Sequence, residues 1–88
     1  MASASPNLRV RVLFFGQVRE LTGLTEDAVV LPEGATLEEL FGLYAQQFPS
    51  LIGFRGSLVA SRNQEFASWD TRLCAGDDIA FLPPVSGG

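Results

Sequence analysis

The clearest chemical group in this sequence is its end, where two bare glycines follow two prolines. Glycine has no side chain, so a segment ending in Gly87 and Gly88 can enter a narrow channel and bring its carboxylate close to another protein's catalytic atoms. Pro83 and Pro84 fix their own φ angles and favour an extended stem that stands away from the domain. Chain ends are often frayed, but the prolines and a predicted final strand favour a functional tail.

Other reactive side chains are scarce. The chain has no histidine and no lysine, which removes the commonest neutral-pH acid–base group and any side-chain amine. Its single cysteine, Cys74, cannot form an internal disulfide, and we interpret it as a packing residue. Asp77 and Asp78 are adjacent, so they would point to opposite faces of a strand, and we assign them to turn formation. We therefore predict no metal site.

Length and charge restrict the class of protein. Eighty-eight residues make one domain with a modest core. No apolar run approaches the roughly 20 residues that span a bilayer, and residues 1–7 lack the basic and apolar regions of a signal peptide. Ten acidic residues against six arginines argue against nucleic acid and anionic membranes as partners. We expect a cytoplasmic protein.

The pattern of apolar and turn-forming residues predicts the elements that must hold the tail. Thr36 and Glu39 form a capping box that should start a helix at Leu37. The predicted elements are, in order, a strand over 8–15, a helical turn over 16–23, a strand over 25–31, a helix from 37 that Pro49 ends, a loop over 50–56 with Leu51, Ile52 and Phe54 tucked against the core, strands over 58–61 and 65–66, an irregular stretch over 69–75, and a strand over 79–82.

This order predicts an α+β domain of the β-grasp, or ubiquitin-like, class, in which one main helix packs across a mixed sheet. The predicted divisions are a flexible lead-in over 1–7, the domain over 8–82 and the extended tail over 83–88. One helix can cover only one face of the sheet. The other face should present Leu13, Phe15 and Leu82 as a partner-docking surface, unless an early loop covers them.

Three stretches of the sequence resemble the small sulfur-carrier subunit of molybdopterin synthase, a ubiquitin-like family. They are residues 12–23, residues 63–66, and Leu73 with residues 76–88. With the element order, the resemblance covers everything after Asn7, and its most specific part is the segment from Gly-Asp-Asp to Pro-Pro-Val-Ser-Gly-Gly. Residues 1–7 depart from the family pattern, and so does Arg62, which stands where relatives often have an apolar residue.

The resemblance implies that the Gly88 carboxylate is adenylated with ATP on a separate E1-like activating enzyme and becomes a thiocarboxylate. The sulfur is then donated, inside the large synthase subunit, to cyclic pyranopterin monophosphate, which forms the dithiolene of molybdopterin. The residues that would thread into the partners' active sites are Gly87, Ser86, Val85, Pro84 and Pro83. The chain itself would bind no cofactor and would be no enzyme on its own, and the complex would be a heterotetramer.

Three other functions fit the same sequence. The chain could be a sulfur carrier for thiamin thiazole or for transfer RNA thiolation, because carriers for these products share the diglycine chemistry. It could also be a ubiquitin-like protein modifier that is joined through Gly88 to lysines of its targets. The last is a plain interaction domain in which the two glycines have no role.

Overall fold

The computed structural model describes residues 7–83, which form a five-stranded sheet, two α-helices and a 3-10 helix. The elements are β1 (Asn7–Phe14), α1 (Gly16–Thr22), β2 (Glu26–Pro32), α2 (Leu37–Gln47), the 3-10 helix (Pro49–Phe54), β3 (Val59–Arg62), β4 (Glu65–Ala67) and β5 (Asp78–Leu82). Asn7, which was predicted to belong to the lead-in, is the first residue of β1. Within the described range no helix has the length and apolarity needed to cross a bilayer.

The strands lie in the order β2-β1-β5-β3-β4, and the sheet is mixed. The central pair β1 and β5 is parallel, whereas β1–β2, β3–β4 and β3–β5 are antiparallel. A parallel pair needs a long crossover, and here the crossover contains α2, which packs across one face of the sheet. The prediction of a β-grasp fold is confirmed. Because β5 is central, the chain reaches its tail from the middle of the sheet.

Helix α2 begins where the capping box predicted. The Thr36 hydroxyl accepts a hydrogen bond from the Glu39 backbone N–H at 3.2 Å, and the Glu39 carboxylate accepts one from the Thr36 N–H at 2.9 Å. Its buried stripe consists of Leu37, Leu40, Phe41, Tyr44 and Ala45. These side chains meet the inward residues of β1 and β5 in a single core.

The segment after α2 is a 3-10 helix and not the predicted loop. Pro49 ends α2, but its fixed φ angle suits the first turn of a new helix. In a 3-10 helix residues three apart lie above one another, so Leu51 and Phe54 both face inward. The prediction that Ile52 also packs inward is wrong, because it lies between them and is 63% exposed.

The interpretation of Cys74 as a packing residue is also wrong, because its side chain is exposed. Cys74 lies in the irregular segment before β5, where its backbone N–H donates to the Asp77 carboxylate at 2.7 Å. This turn fixes the backbone and directs the thiol outward. The Cys74 Sγ there accepts a hydrogen bond from Arg62 Nη2 at 3.5 Å.

Candidate functional site

The face of the sheet opposite α2 carries a groove of about 420 Å³, which we call the open-face groove. Side chains from four of the five strands, with Phe15 and Gln64, contribute to it. Its lining residues are Arg11, Leu13, Phe15, Ser61, Gln64, Phe66, Asp78, Ile79, Ala80 and Leu82. No residue of α1 lines it, so this helical segment does not cover the groove.

The strand register explains why these residues meet. Leu13 on β1 lies opposite Ala80 on β5, Ala80 lies opposite Ser61 on β3, and Ser61 lies opposite Phe66 on β4. Residues paired across neighbouring strands point to the same face of a sheet. The four side chains therefore form one row across the open face.

The structure brings the three predicted docking residues together on this face. Leu13 and Leu82 are half-buried, and Phe15, which follows β1 directly, is 43% exposed. Their role in docking remains a prediction. Sequence reasoning missed Phe66, which is 77% exposed and forms part of the groove. The available signal was the two-residue turn Asn63-Gln64, since a hairpin of this length places Phe66 opposite Ser61.

The groove also contains charged side chains, those of Arg11 and Asp78. Arg11 donates to both carboxylate oxygens of Asp78, with Nε to Oδ1 at 3.1 Å and Nη2 to Oδ2 at 3.3 Å, and it also lies 3.6 Å from the Glu26 carboxylate. The hydrogen bond to Asp78 raises the pKa of Arg11 above its ordinary value. The groove thus joins an apolar region around Leu13, Phe15 and Phe66 to an ionic one.

The tail leaves the sheet beside this groove. Pro83 follows the last residue of β5 and contacts the start of α1. Gly16 has a φ of 56°, and a Cβ added there would lie 3.0 Å from Pro83 Cγ. The lack of a side chain at Gly16 therefore lets the chain leave β5 close to α1. The other predicted tail residues, Pro84, Val85, Ser86, Gly87 and Gly88, lie outside the described residues.

Four residues next to the groove form a polar cluster around the Asp77 carboxylate. We call it the Asp77 cluster, and its members are Arg62, Asn63, Cys74 and Asp77. The Asp77 carboxylate is buried and accepts from Arg62 Nε at 2.6 Å, Asn63 Nδ2 at 3.0 Å and the Cys74 N–H at 2.7 Å. Burial opposes ionisation, but these donors together outweigh it and lower the pKa of Asp77. The predicted turn role is confirmed for Asp77, whose carboxylate binds the Cys74 N–H within the turn. It is wrong for Asp78, which is the first residue of β5 and whose side chain pairs with Arg11. Arg62, which departs from the family pattern, supplies the cation of the cluster.

The acidic and sulfur-bearing side chains of residues 7–83 are spread over the domain. In the part of the chain that the structure describes, no three His, Cys, Asp or Glu side chains group in a way that could hold a metal ion. The acids near the groove are already paired, Asp78 with Arg11 and Asp77 with Arg62. Within the described residues, an apolar groove thus lies next to Pro83, where the chain leaves the sheet.

Comparison with known proteins agrees with this arrangement. Residues 12–88 match the ThiS family. The molybdopterin synthase sulfur carrier subunit of Escherichia coli (strain K12) is 41% identical over 81 residues, which are 90% of this chain and 99% of that protein.

Two solved structures share the fold at lower identity. The crystal structure of SAMP1, small archaeal modifier protein 1, from Haloferax volcanii is 27% identical, covers 91% of this chain and 99% of its own, and has a TM-score of 0.76. A complex of subunits 1 and 2 of the molybdopterin-converting factor from Helicobacter pylori 26695 contains a chain that is 28% identical, with coverages of 92% and 100% and a TM-score of 0.64. With its β-grasp sheet and a sequence match that spans most of its length, this chain belongs to the ThiS family.

Proposed function

We propose that this chain is the sulfur-carrier subunit of a molybdopterin synthase. The observation that carries the proposal is the family match over residues 12–88, which includes the two terminal glycines. The high coverage of the E. coli relative, which bears this name, supports it. The position of Pro83 beside the open-face groove fits a tail that enters a partner's active site while the domain docks next to that site.

The chemistry takes place at the Gly88 carboxylate. A carboxylate is a poor electrophile, so an oxygen of Gly88 first attacks the α-phosphate of ATP, which releases pyrophosphate and leaves an acyl adenylate. A sulfur nucleophile then attacks the carbonyl carbon, and AMP leaves with the carboxylate oxygen, so that one oxygen of Gly88 is replaced by sulfur. An unhindered glycine gives this attack room. The activating enzyme would supply the ATP site and the acid–base groups, which fits a chain with no histidine and no lysine.

Two partners follow from this scheme, the activating enzyme and the large synthase subunit. The open-face groove would dock on the large synthase subunit through Leu13, Phe15 and Leu82, while residues 83–88 thread into its active site. The Helicobacter pylori complex of subunits 1 and 2 supports such a pairing. A dithiolene contains two sulfur atoms and each thiocarboxylate carries one, so two carriers serve each product. The heterotetramer and the cytoplasmic location belong to the same proposal.

Intact-mass spectrometry tests the proposal. The chain is incubated with ATP, a sulfide source and its cognate activating enzyme, beside a variant that lacks Gly88. We expect the full-length chain to gain the mass difference between sulfur and oxygen, and the shortened chain to gain nothing. No gain with an enzyme that is active on another carrier would overturn the proposal.

A second candidate function is that of a protein modifier, which the likeness to SAMP1 of Haloferax volcanii favours. A modifier would be found in isopeptide-linked conjugates through Gly88, whereas a dedicated carrier would be found only as the free chain and its thiocarboxylate. A carrier for another sulfur product would gain the same mass but would not bind the large synthase subunit. Pull-down from cells, read by mass spectrometry of Gly88 linkages and of the bound subunit, separates the three.

A further inference from the structure

The wall of the open-face groove formed by Phe66 and Gln64 stands on a small hairpin. Strand β4 has three residues and lies at the edge of the sheet, where it pairs only with β3. Asn63 and Gln64, which join the two strands, both have positive φ angles, of 54° and 73°. Phe66 itself is largely exposed. Three register pairs and a tight turn are little support for a side chain that must keep its place in a docking surface.

The Asp77 cluster holds the hairpin through side-chain hydrogen bonds outside the strand pairing. Asp77 binds Arg62, the last residue of β3, and Asn63, the first residue of the turn. The turn is also tied to β5, because the Asn63 N–H donates to the Asp78 carbonyl at 2.7 Å and Asn63 Oδ1 accepts from the Asp78 N–H at 2.9 Å. The Asp77 carbonyl accepts from the Arg11 N–H at 2.9 Å, which continues the connection into β1.

The cluster does not line the groove. Arg62, Asn63, Cys74 and Asp77 are all absent from the groove-lining residues, so a partner in the groove would not touch the Asp77 carboxylate. The carboxylate nevertheless joins the hairpin to the segment before β5, and its burial makes a substitution there hard to relax. An effect of the Asp77 carboxylate on docking is therefore indirect, and its two side-chain partners Arg62 and Asn63 point to the hairpin as the route.

We propose that Asp77, with Arg62 and Asn63, is a positioning residue that sets the β3–β4 hairpin as one wall of the groove and thereby controls how tightly the carrier binds the large synthase subunit. The inference rests on the proposed function for the identity of that partner. It divides the docking surface into two walls. The wall on β1, which includes Leu13, is tied to Asp77 only through a backbone hydrogen bond that does not need the carboxylate, whereas the wall on the hairpin depends on the carboxylate.

A double-mutant cycle tests the inference with the full chain and the large subunit, measured by titration calorimetry. We expect Asp77→Asn to weaken binding about tenfold, which corresponds to about 1.4 kcal/mol. In that background Phe66→Ala should cost much less than in the wild type, because the wall is already displaced, whereas Phe15→Ala should keep its full effect. Glu33→Gln, which removes an exposed charge in the turn after β2, is the matched control and should bind as the wild type does.

A graded series at Arg62 guards against a variant that simply unfolds. Arg62→Met removes the donor to Asp77 but leaves those from Asn63 and Cys74, so it should weaken binding less than Asp77→Asn. Arg62→Lys, which keeps one charged donor, should bind more tightly than Arg62→Met. Equal binding by the wild type and Asp77→Asn would overturn the inference, and so would a loss from Phe66→Ala that is as large in the Asp77→Asn background as in the wild type.

Amide hydrogen exchange of the free chain tests the positioning step without a partner. Asp77→Asn should speed exchange in the β3–β4 hairpin and leave the β1–β2 pair unchanged. Unchanged hairpin exchange would contradict the inference. If the wild type does not bind the large subunit, the proposed function fails, and this measurement still decides whether Asp77 holds the hairpin.

Discussion

The two faces of the sheet use similar side chains for different purposes. Phe14 and Phe15 are neighbours in the chain, yet Phe14 is 2% exposed on the face covered by α2 and Phe15 is 43% exposed beside the groove. On the covered face Phe14 meets Tyr44 edge to face, with ring centroids 5.1 Å apart. Among residues 7–83 no helix covers the open face in this way. Its apolar side chains do not close the core, so we read them as a surface kept for a partner.

The covered face also anchors the strand that carries the tail. Phe81 on β5 stacks on Trp69 with ring centroids 6.0 Å apart, and it meets Phe41 edge to face at 5.8 Å. The Arg55 guanidinium lies 3.8 Å above the Trp69 ring and pairs with Glu38 at the start of α2. Aromatic contacts thus fix the strand that ends at Leu82 on the covered face, while Leu82 itself lines the groove on the open face.

The sharpest contrast, and the largest expected effect on stability, comes from shortening the two neighbouring phenylalanines. Phe14→Ala should lower the free energy of unfolding by about 3–5 kcal/mol, since it opens a cavity in the core. Phe15→Ala should change it by less than about 1 kcal/mol, because its ring is half exposed. Urea unfolding of both variants measures the difference. Similar losses would show that the open face is part of the core.

A second contrast concerns binding. Phe66→Ala should weaken binding of the large synthase subunit by about tenfold or more, as expected for an exposed aromatic anchor, and should leave the free energy of unfolding within about 0.5 kcal/mol of the wild type. Ile52→Ala is the control, because Ile52 is an exposed apolar residue on the 3-10 helix and not on the open face. If both variants bind equally well, the groove is not the docking surface.

The smallest effect tests a polar contact on the covered face. The Tyr44 hydroxyl donates to Asp27 at 2.8 Å, and its burial, followed by this hydrogen bond, raises the pKa of Tyr44 above the ordinary value of 10.0. A group that holds its proton more tightly in the folded state stabilises fully below its unfolded pKa and loses this contribution as the pH rises past it. Tyr44→Phe should cost about 1 kcal/mol at neutral pH.

The difference in stability between the wild type and Tyr44→Phe should therefore shrink above pH 10.0. Tyr44 is the only tyrosine of the chain, so phenolate absorbance reports its ionisation directly. In the folded chain the absorbance should rise at a higher pH than in urea. Parallel stability curves for the two proteins, or equal absorbance midpoints, would mean that the hydroxyl is not held as the structure shows.

The features of the two faces that follow from local sequence patterns could be predicted, whereas those that depend on strand register could not. The alternation around Leu13 and the capping box at Thr36 are local patterns, and each one alone determines a face or a helix start. Together with the predicted order of the elements, they were sufficient for the β-grasp class and for placing Leu13, Phe15 and Leu82 on one face. Phe66 required the register of a strand pair, and a three-residue strand is too short to show its own alternation.

The errors have the same origin. Cys74 was assigned to packing because a single cysteine has no internal disulfide partner, but the turn centred on Asp77 directs its thiol outward. Asp77 was recognised as a turn residue, whereas its buried contacts with Arg62 and Asn63 join segments that are distant in sequence. Ile52 was judged by its apolarity, and the 3-10 periodicity that exposes it could not be read from a stretch that begins with proline.

The most direct test of the central claim is a single-turnover sulfur transfer. The chain carrying a Gly88 thiocarboxylate is mixed with the large synthase subunit and cyclic pyranopterin monophosphate, and the intact mass of the carrier is followed over time. We predict that the carrier returns to its unmodified mass only when both are present, and that the sulfur appears in the pterin product. A carrier that keeps its sulfur under these conditions, with a large subunit active on another carrier, would contradict the account.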